Sequence, residues 1–224
     1  EHCWPASLLA RARGDAGLRA WLADPGARTE TLPSPLQSRW VDAEVLPSRS
    51  ISDEAIGDAV SQEAALFRCI FGDVPSVAVP NTFVWTDAVE RAWAASGVRC
   101  VVTCGRQYEG RAADGGLMPP IRHILNGEVG AGELRFVVRD AYFEPVRGHR
   151  AEQVWEAVAE HTTLARPTLL EMHRESFIAA PEIAERALSE LARALGGVIR
   201  RHADVRFLTT AELADAMSSP DNPL

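Results

Sequence analysis

The sequence lacks the cysteine patterns that hold a structural metal or a disulfide framework. Its four cysteines form no C-x-x-C pair and show no zinc-finger spacing to histidine. Cys100 and Cys104 flank the strand-like residues 101–103, and this position favours buried free thiols. The pattern therefore argues against a zinc finger and against a small fold stabilised by many disulfides.

The sequence also has no long apolar run and no cluster of basic residues. No run reaches the roughly 18 to 20 apolar residues that a membrane-spanning helix needs. The chain carries 31 acidic and 23 basic residues, for a net charge of −8, and no basic face that would attract phosphates. We therefore expect neither a membrane span nor a nucleic-acid partner.

The overall composition is that of a globular protein, with 46% hydrophobic and 24% charged residues. A length of 224 residues favours a single domain over residues 1–224. The sequence begins at Glu1 without a methionine, which predicts a processed product or an excised segment. The cellular compartment and the oligomeric state stay open.

Three common site motifs are missing as well. There is no G-x-S-x-G nucleophile elbow and no H-E-x-x-H helix. Gly127, Gly130 and Gly132 precede an apolar strand, whereas the glycines of a dinucleotide site follow one. Serine hydrolases of the elbow type, zincins and nicotinamide enzymes are therefore not supported.

From about residue 75, short apolar runs alternate with segments of helical period, which is typical of βα units. Asp87 with Glu90 and Thr209 with Glu212 have the spacing of capping boxes, and Gly97 suits a helix C-terminus. The predicted strands are 76–80, 99–103, 133–138, 167–172 and 205–208, and the predicted helices are 53–71, 87–93, 152–161, 181–199 and a short one after Thr209. We therefore predict an α/β fold, a distorted or partial (β/α) barrel.

Polar residues follow the ends of these predicted strands. The carboxyl ends of parallel strands open on one face, which carries the site in such folds. The candidates by this rule are Asn81, Arg106, Arg139, Asp140, Glu171, His173, Arg174 and Glu175. We expect a polar ring around the mouth of an apolar barrel.

His173 is the central candidate, because a histidine between Glu171 and Glu175 can act as a general acid or bind a metal. A purely structural histidine at a strand end is the alternative. Arg139 and Glu144 can pair with each other or orient a sugar hydroxyl. Trp85 offers a flat face for a sugar ring, although core packing is the more frequent fate of such a tryptophan.

Four segments together resemble the polysaccharide deacetylase-like (NodB homology) domains of the glycoside hydrolase/deacetylase superfamily. They are residues 79–85, 138–145, 166–174 and 204–213, within a resemblance that covers roughly residues 75 to 215. The resemblance implies a distorted seven-stranded (β/α) barrel. It also implies a divalent metal, zinc by expectation, that activates water against an acetyl group on a carbohydrate.

The resemblance assigns roles to His173 and His2, and the types and positions of other residues supply the further candidates. His173 matches the family's late histidine, the general acid, with Glu171 beside it as a second catalytic candidate. Asn81, Trp85, Arg139, Glu144 and Arg174 are the substrate-binding candidates. His2 is similar to an early metal-binding histidine. The paired aspartates of the family are not found, so they either lie upstream of Glu1 or have been lost. About five strands are predicted here against seven or so in the family, and this count favours a chain that lacks the first strands of the barrel.

Two other functions compete with a metal-dependent deacetylase. A glycoside hydrolase of the same superfamily would need Glu171 and Glu144 to face each other across a cleft at roughly 5 to 10 Å. A non-catalytic carbohydrate-binding barrel would keep an aromatic cleft without metal ligands.

Overall fold

The computed structural model describes residues 11–24, 31–32, 34–42, 45–173, 176–178 and 180–218. The chain divides into two compact units, Glu1–Val137 and Val138–Leu224, called the first and the second unit below. The single domain over residues 1–224 stays a prediction.

Six α-helices and seven short strands are found in the described ranges. The helices are α1 (Ala16–Ala23), α2 (Asp53–Phe71), α3 (Asp87–Ala95), α4 (Ala151–Thr163), α5 (Pro181–Arg201) and α6 (Thr210–Ser218). The strands are β1 (Val77–Ala78), β2 (Cys100–Thr103), β3 (Arg106–Gln107), β4 (Arg122–His123), β5 (Arg135–Val138), β6 (Ala141–Tyr142) and β7 (Leu170–Glu171). None of these helices is long and apolar enough to cross a membrane.

The strands form three small sheets. One has the order β1-β2-β5, with β1 and β2 parallel; β3 and β4 form an antiparallel pair, and β6 and β7 form a parallel pair. The predicted mixed α/β class is therefore confirmed, whereas these sheets form no closed barrel within the described ranges. The seven-stranded barrel stays a prediction, and residues 205–208, predicted as a strand, form none.

Each unit contains one β-α-β arrangement, in which a helix connects two neighbouring parallel strands. In the first unit α3 lies between β1 and β2, and in the second unit α4 lies between β6 and β7. Parallel neighbours need such a crossover connection, because a short turn cannot return the chain to the same end of the sheet. This topology brings two strand carboxyl ends together in each unit.

Helix α3 departs from its predicted cap. Thr86 is the N-cap residue and makes no side-chain cap bond, so the capping box of Asp87 and Glu90 is wrong. Glu90 is instead fully buried: its carboxylate accepts hydrogen bonds from Trp85 Nε1 at 2.8 Å and from the Ala131 backbone N–H at 2.6 Å. Burial raises the pKa of Glu90, while these two hydrogen bonds and the nearby Arg122 lower it by less.

The core of the second unit lies between α4, α5 and the strand ends. Its buried members are Phe143, Ala151, Val154, Ala194 and Val198. Burying one side chain of the size of phenylalanine contributes about 1.5 to 3 kcal/mol. Trp155 packs beside this cluster and donates its indole N–H to the Ala194 carbonyl at 2.9 Å, which joins α4 to α5.

The last helix begins as its sequence predicts. Thr209 donates its backbone N–H to Glu212 Oε2 at 2.7 Å, and the Glu212 N–H donates to Thr209 Oγ1 at 3.2 Å. This reciprocal pair is the predicted capping box, and it satisfies donors that the first turn of α6 leaves unpaired.

Candidate functional site

The register of β6 and β7 brings Glu144 beside His173. Tyr142 of β6 is paired with Glu171 of β7, and the Phe143 N–H donates to the Glu171 carbonyl at 2.9 Å. Both chains continue in the same direction, so the residues two positions beyond the paired ones are neighbours. Two strands of two residues each thereby place a glutamate and a histidine together.

Glu144 holds His173 by two hydrogen bonds to one carboxylate oxygen. Glu144 Oε1 lies 2.6 Å from His173 Nδ1 and accepts from the His173 backbone N–H at 2.5 Å. The second oxygen, Oε2, accepts from Ser176 Oγ at 2.5 Å. Glu144 has no exposed surface, whereas 49% of the His173 side chain is exposed.

This arrangement fixes the ring of His173 in one useful orientation. A carboxylate oxygen can only accept, so Nδ1 carries the proton and Nε2 is the nitrogen left to react. In such pairs the buried carboxylate sets the tautomer of the imidazole and stabilises the imidazolium that forms during proton transfer. His173 Nε2 can therefore take up or deliver a proton at the surface of the second unit.

Glu171 lies on the other side of the His173 ring. Its Oε1 is 3.7 Å from His173 Nε2 and 3.3 Å from Arg139 Nη2. Arg139 thus pairs with Glu171, whereas the sequence suggested a pair of Arg139 with Glu144. Glu171, Arg139, Glu144 and His173 are four predicted site residues that the structure brings together.

Two residues of this region were not predicted to belong to the site. Tyr142 is 41% exposed, and its ring contacts the rings of His149 and His173, with centroid distances of 5.2 and 6.0 Å. His149 Nδ1 accepts the backbone N–H of Glu144 at 3.0 Å. The only sequence indication was that Tyr142 and Glu144 lie in one segment of the family resemblance.

Two further candidates, Asn81 and Trp85, belong to the first unit. Asn81 begins a 3₁₀ turn of the first unit, Asn81–Phe83, and is partly buried. Trp85 is fully buried in that unit and its indole N–H is bound to Glu90, so it presents no face on which a sugar could stack. Arg174 and His2 lie outside the described residues.

The expected divalent metal stays a prediction. Within the ranges given above, no three His, Cys, Asp or Glu side chains converge as a metal site requires.

Comparison with known proteins assigns the chain to no family. No protein-family model matches the sequence, and no curated protein matches it significantly. The function must therefore be inferred from the side chains of the site.

Proposed function

We propose that the protein is a hydrolase that removes acetyl groups from a carbohydrate, with His173 as its proton-transfer residue. The observation that carries this proposal is the buried carboxylate of Glu144 bound to Nδ1 of a half-exposed histidine. A structural histidine does not need its second nitrogen at the surface, whereas general acid-base catalysis does.

The reaction needs one proton delivered to the leaving group. Water adds to the acetyl carbon, and the C–N or C–O bond to the sugar then breaks with its electron pair on the sugar nitrogen or oxygen. Protonated His173 gives its Nε2 proton to that atom as the bond breaks, and a proton from the added water restores the ring. Glu144 keeps Nδ1 bound throughout, so that the ring neither flips nor loses its orientation.

Glu171 and Arg139 complete the proposed site beside Nε2. Glu171 lies close enough to His173 to bind a hydroxyl group of a sugar held there, and Arg139 balances its charge at 3.3 Å. Arg174 follows His173 directly in the sequence and is the remaining substrate-binding candidate on this segment.

The metal and the barrel belong to the same proposal. A divalent metal such as zinc, implied by the family resemblance, would supply a Lewis acid that activates water. The two β-α-β arrangements support a partial (β/α) barrel, because that repeat is the unit from which such barrels are built. Elemental analysis of the purified protein tests the metal independently of activity.

The geometry gives less support to a glycoside hydrolase. That reaction needs two carboxylates that both reach the sugar, but both oxygens of Glu144 are buried and occupied by hydrogen bonds from His173 and Ser176. A non-catalytic binding domain would bind the sugar and release no acetate.

The experiment measures acetate release from N- and O-acetylated oligosaccharides by the wild type and by His173→Ala. We expect release by the wild type and its loss in the variant by about 10²-fold or more, the usual contribution of a general acid. His123→Ala, a change at an exposed histidine of β4, is the matched control. Equal rates for wild type and His173→Ala would refute the proposal.

A further inference from the structure

The exposed residue Tyr142 contacts two histidines through its ring. His149 meets it edge-on at 5.2 Å with an interplanar angle of 82°, and His173 at 6.0 Å with 63°. Arg147 lies over the same ring, with its guanidinium carbon 6.0 Å from the centroid. The carboxyl end of β6 thus presents an exposed aromatic residue that contacts two imidazoles.

Glu144 holds these two histidines in opposite hydrogen-bonding roles. Its side chain accepts at Nδ1 of His173, whereas its backbone N–H donates to Nδ1 of His149 at 3.0 Å. A backbone N–H can only donate, so the neutral His149 ring must carry its proton on Nε2. In their neutral forms, Nε2 of His173 is therefore an acceptor and Nε2 of His149 is a donor.

A donor and an acceptor beside one aromatic face form a recognisable kind of ligand site. The apolar C–H face of a sugar ring packs on an aromatic ring, and a few fixed polar groups orient it. A fixed N–H aimed at a substrate oxygen needs no rearrangement during the reaction, because the fold has already oriented it.

We propose that His149 binds the substrate through its Nε2–H and that Tyr142, which contacts both histidines, supports the sugar ring. This inference rests on the proposed function and names the substrate more closely: an acylated sugar whose acyl or hydroxyl oxygen accepts from His149. His173 then donates its proton to the leaving nitrogen or oxygen of the same sugar.

Two substitutions distinguish the role of Nδ1 of His149 as an acceptor from the role of its Nε2 as a donor. In His149→Asn the amide oxygen replaces Nδ1 and still accepts the Glu144 N–H, but nothing replaces the Nε2 donor. In His149→Gln the longer amide replaces the Nε2 donor and the Nδ1 acceptor is lost. We expect His149→Asn to weaken binding of an N-acetylglucosamine tetramer about tenfold, the effect of one lost hydrogen bond, and His149→Gln to stay within about threefold of the wild type.

The reverse order would overturn the inference. If His149→Asn binds like the wild type while His149→Gln is impaired, His149 only caps the backbone of Glu144. Tyr142→Leu is the second variant, expected to lose about tenfold in affinity because stacking is removed; unchanged affinity counts against the inference.

Calorimetric titration keeps this test separate from the proposed function. A wild type that binds the tetramer without releasing acetate would refute the deacetylase proposal, and the His149 variants would still decide the inference. A wild type that does not bind the tetramer refutes the inference. Long-range ¹H–¹⁵N spectra of the wild type supply a check without substitution: a neutral His149 protonated on Nε2 supports the inference, and one protonated on Nδ1 overturns it.

Discussion

Glu144 Oε1 accepts both the backbone N–H and the ring Nδ1 of His173, at 2.5 and 2.6 Å. One carboxylate oxygen thereby fixes the position of the residue and the direction of its ring. The two residues meet because two parallel strands end side by side. The hydrogen bonds between Glu144 and His173 therefore depend on the register of β6 and β7.

Glu144→Gln should lower kcat for acetate release by about 10²-fold or more while the chain remains folded. The amide is equally large, but it has no charge to stabilise the imidazolium of His173. Steady-state kinetics with thermal unfolding of both proteins checks this. Glu156→Gln, the same change at an exposed position of α4, is the control, and a kcat reduced equally by both changes would contradict the assigned role.

Gly197→Ala should lower the free energy of unfolding by about 1 to 3 kcal/mol, the usual cost of overpacking. A Cβ at this position would lie 2.2 Å from Trp155 Nε1, so α4 and α5 would have to separate. The neighbouring Gly196→Ala is the matched control, because its Cβ meets only the flexible Arg200 side chain at 3.3 Å. We expect this control to gain up to about 1 kcal/mol from helix propensity; urea denaturation measures both.

Arg111→Met should destabilise the first unit by roughly 2 to 4 kcal/mol, because buried acceptors lose their donors. The Arg111 side chain is almost fully buried and donates to Ser38 Oγ, Gln37 Oε1 and the Gly115 carbonyl. It therefore joins two segments that are distant in the sequence, residues 37–38 and 111–115. Arg106→Met, at an exposed position, is the comparison, and similar unfolding midpoints for the two variants would contradict this prediction.

The stability that Glu90 contributes should depend on pH. Its pKa is raised above 4.5 in the folded protein, chiefly by burial, so the folded state keeps a proton that the unfolded state releases. The associated stabilisation is complete below pH 4.5 and is lost as the pH rises through the raised pKa.

The free energy of unfolding of the wild type, measured relative to Glu90→Gln, should therefore fall between pH 4.5 and pH 7.5. Urea denaturation at four pH values across this range tests the slope. Glu109→Gln, at an exposed position of the same unit, serves as the reference. A difference that grows with pH would show that the sign is wrong.

The helices were predictable because their limits are encoded locally. The prediction of a helix over 53–71 agrees with α2, which begins after the Ser52 cap and ends at Gly72 with φ 78°. Helix α5 likewise begins at Pro181, as predicted. Helix α6 begins at the predicted capping box of Thr209 and Glu212. Such caps act within one turn, so neighbouring residues suffice to find them.

The strands and the details of the site were less predictable, because they depend on partners far along the chain. β6 has only two residues, too few for an alternating pattern, and it exists because β7 lies beside it. Glu90 has the spacing of a cap residue but is buried against Trp85 and Ala131. His173 was found by its place after a strand, whereas His149 depends on a backbone N–H that no sequence pattern reveals.

Trp155 gives the second unit an optical label. It is the one tryptophan among residues 138–224, and the Arg201 guanidinium carbon lies 3.8 Å from its ring centroid, with Arg193 at 5.3 Å. Its fluorescence therefore depends on the packing of α4 against α5. In a variant with the other tryptophans replaced by phenylalanine, emission from Trp155 would report the unfolding of the segment that carries His173, without a dye or a tag.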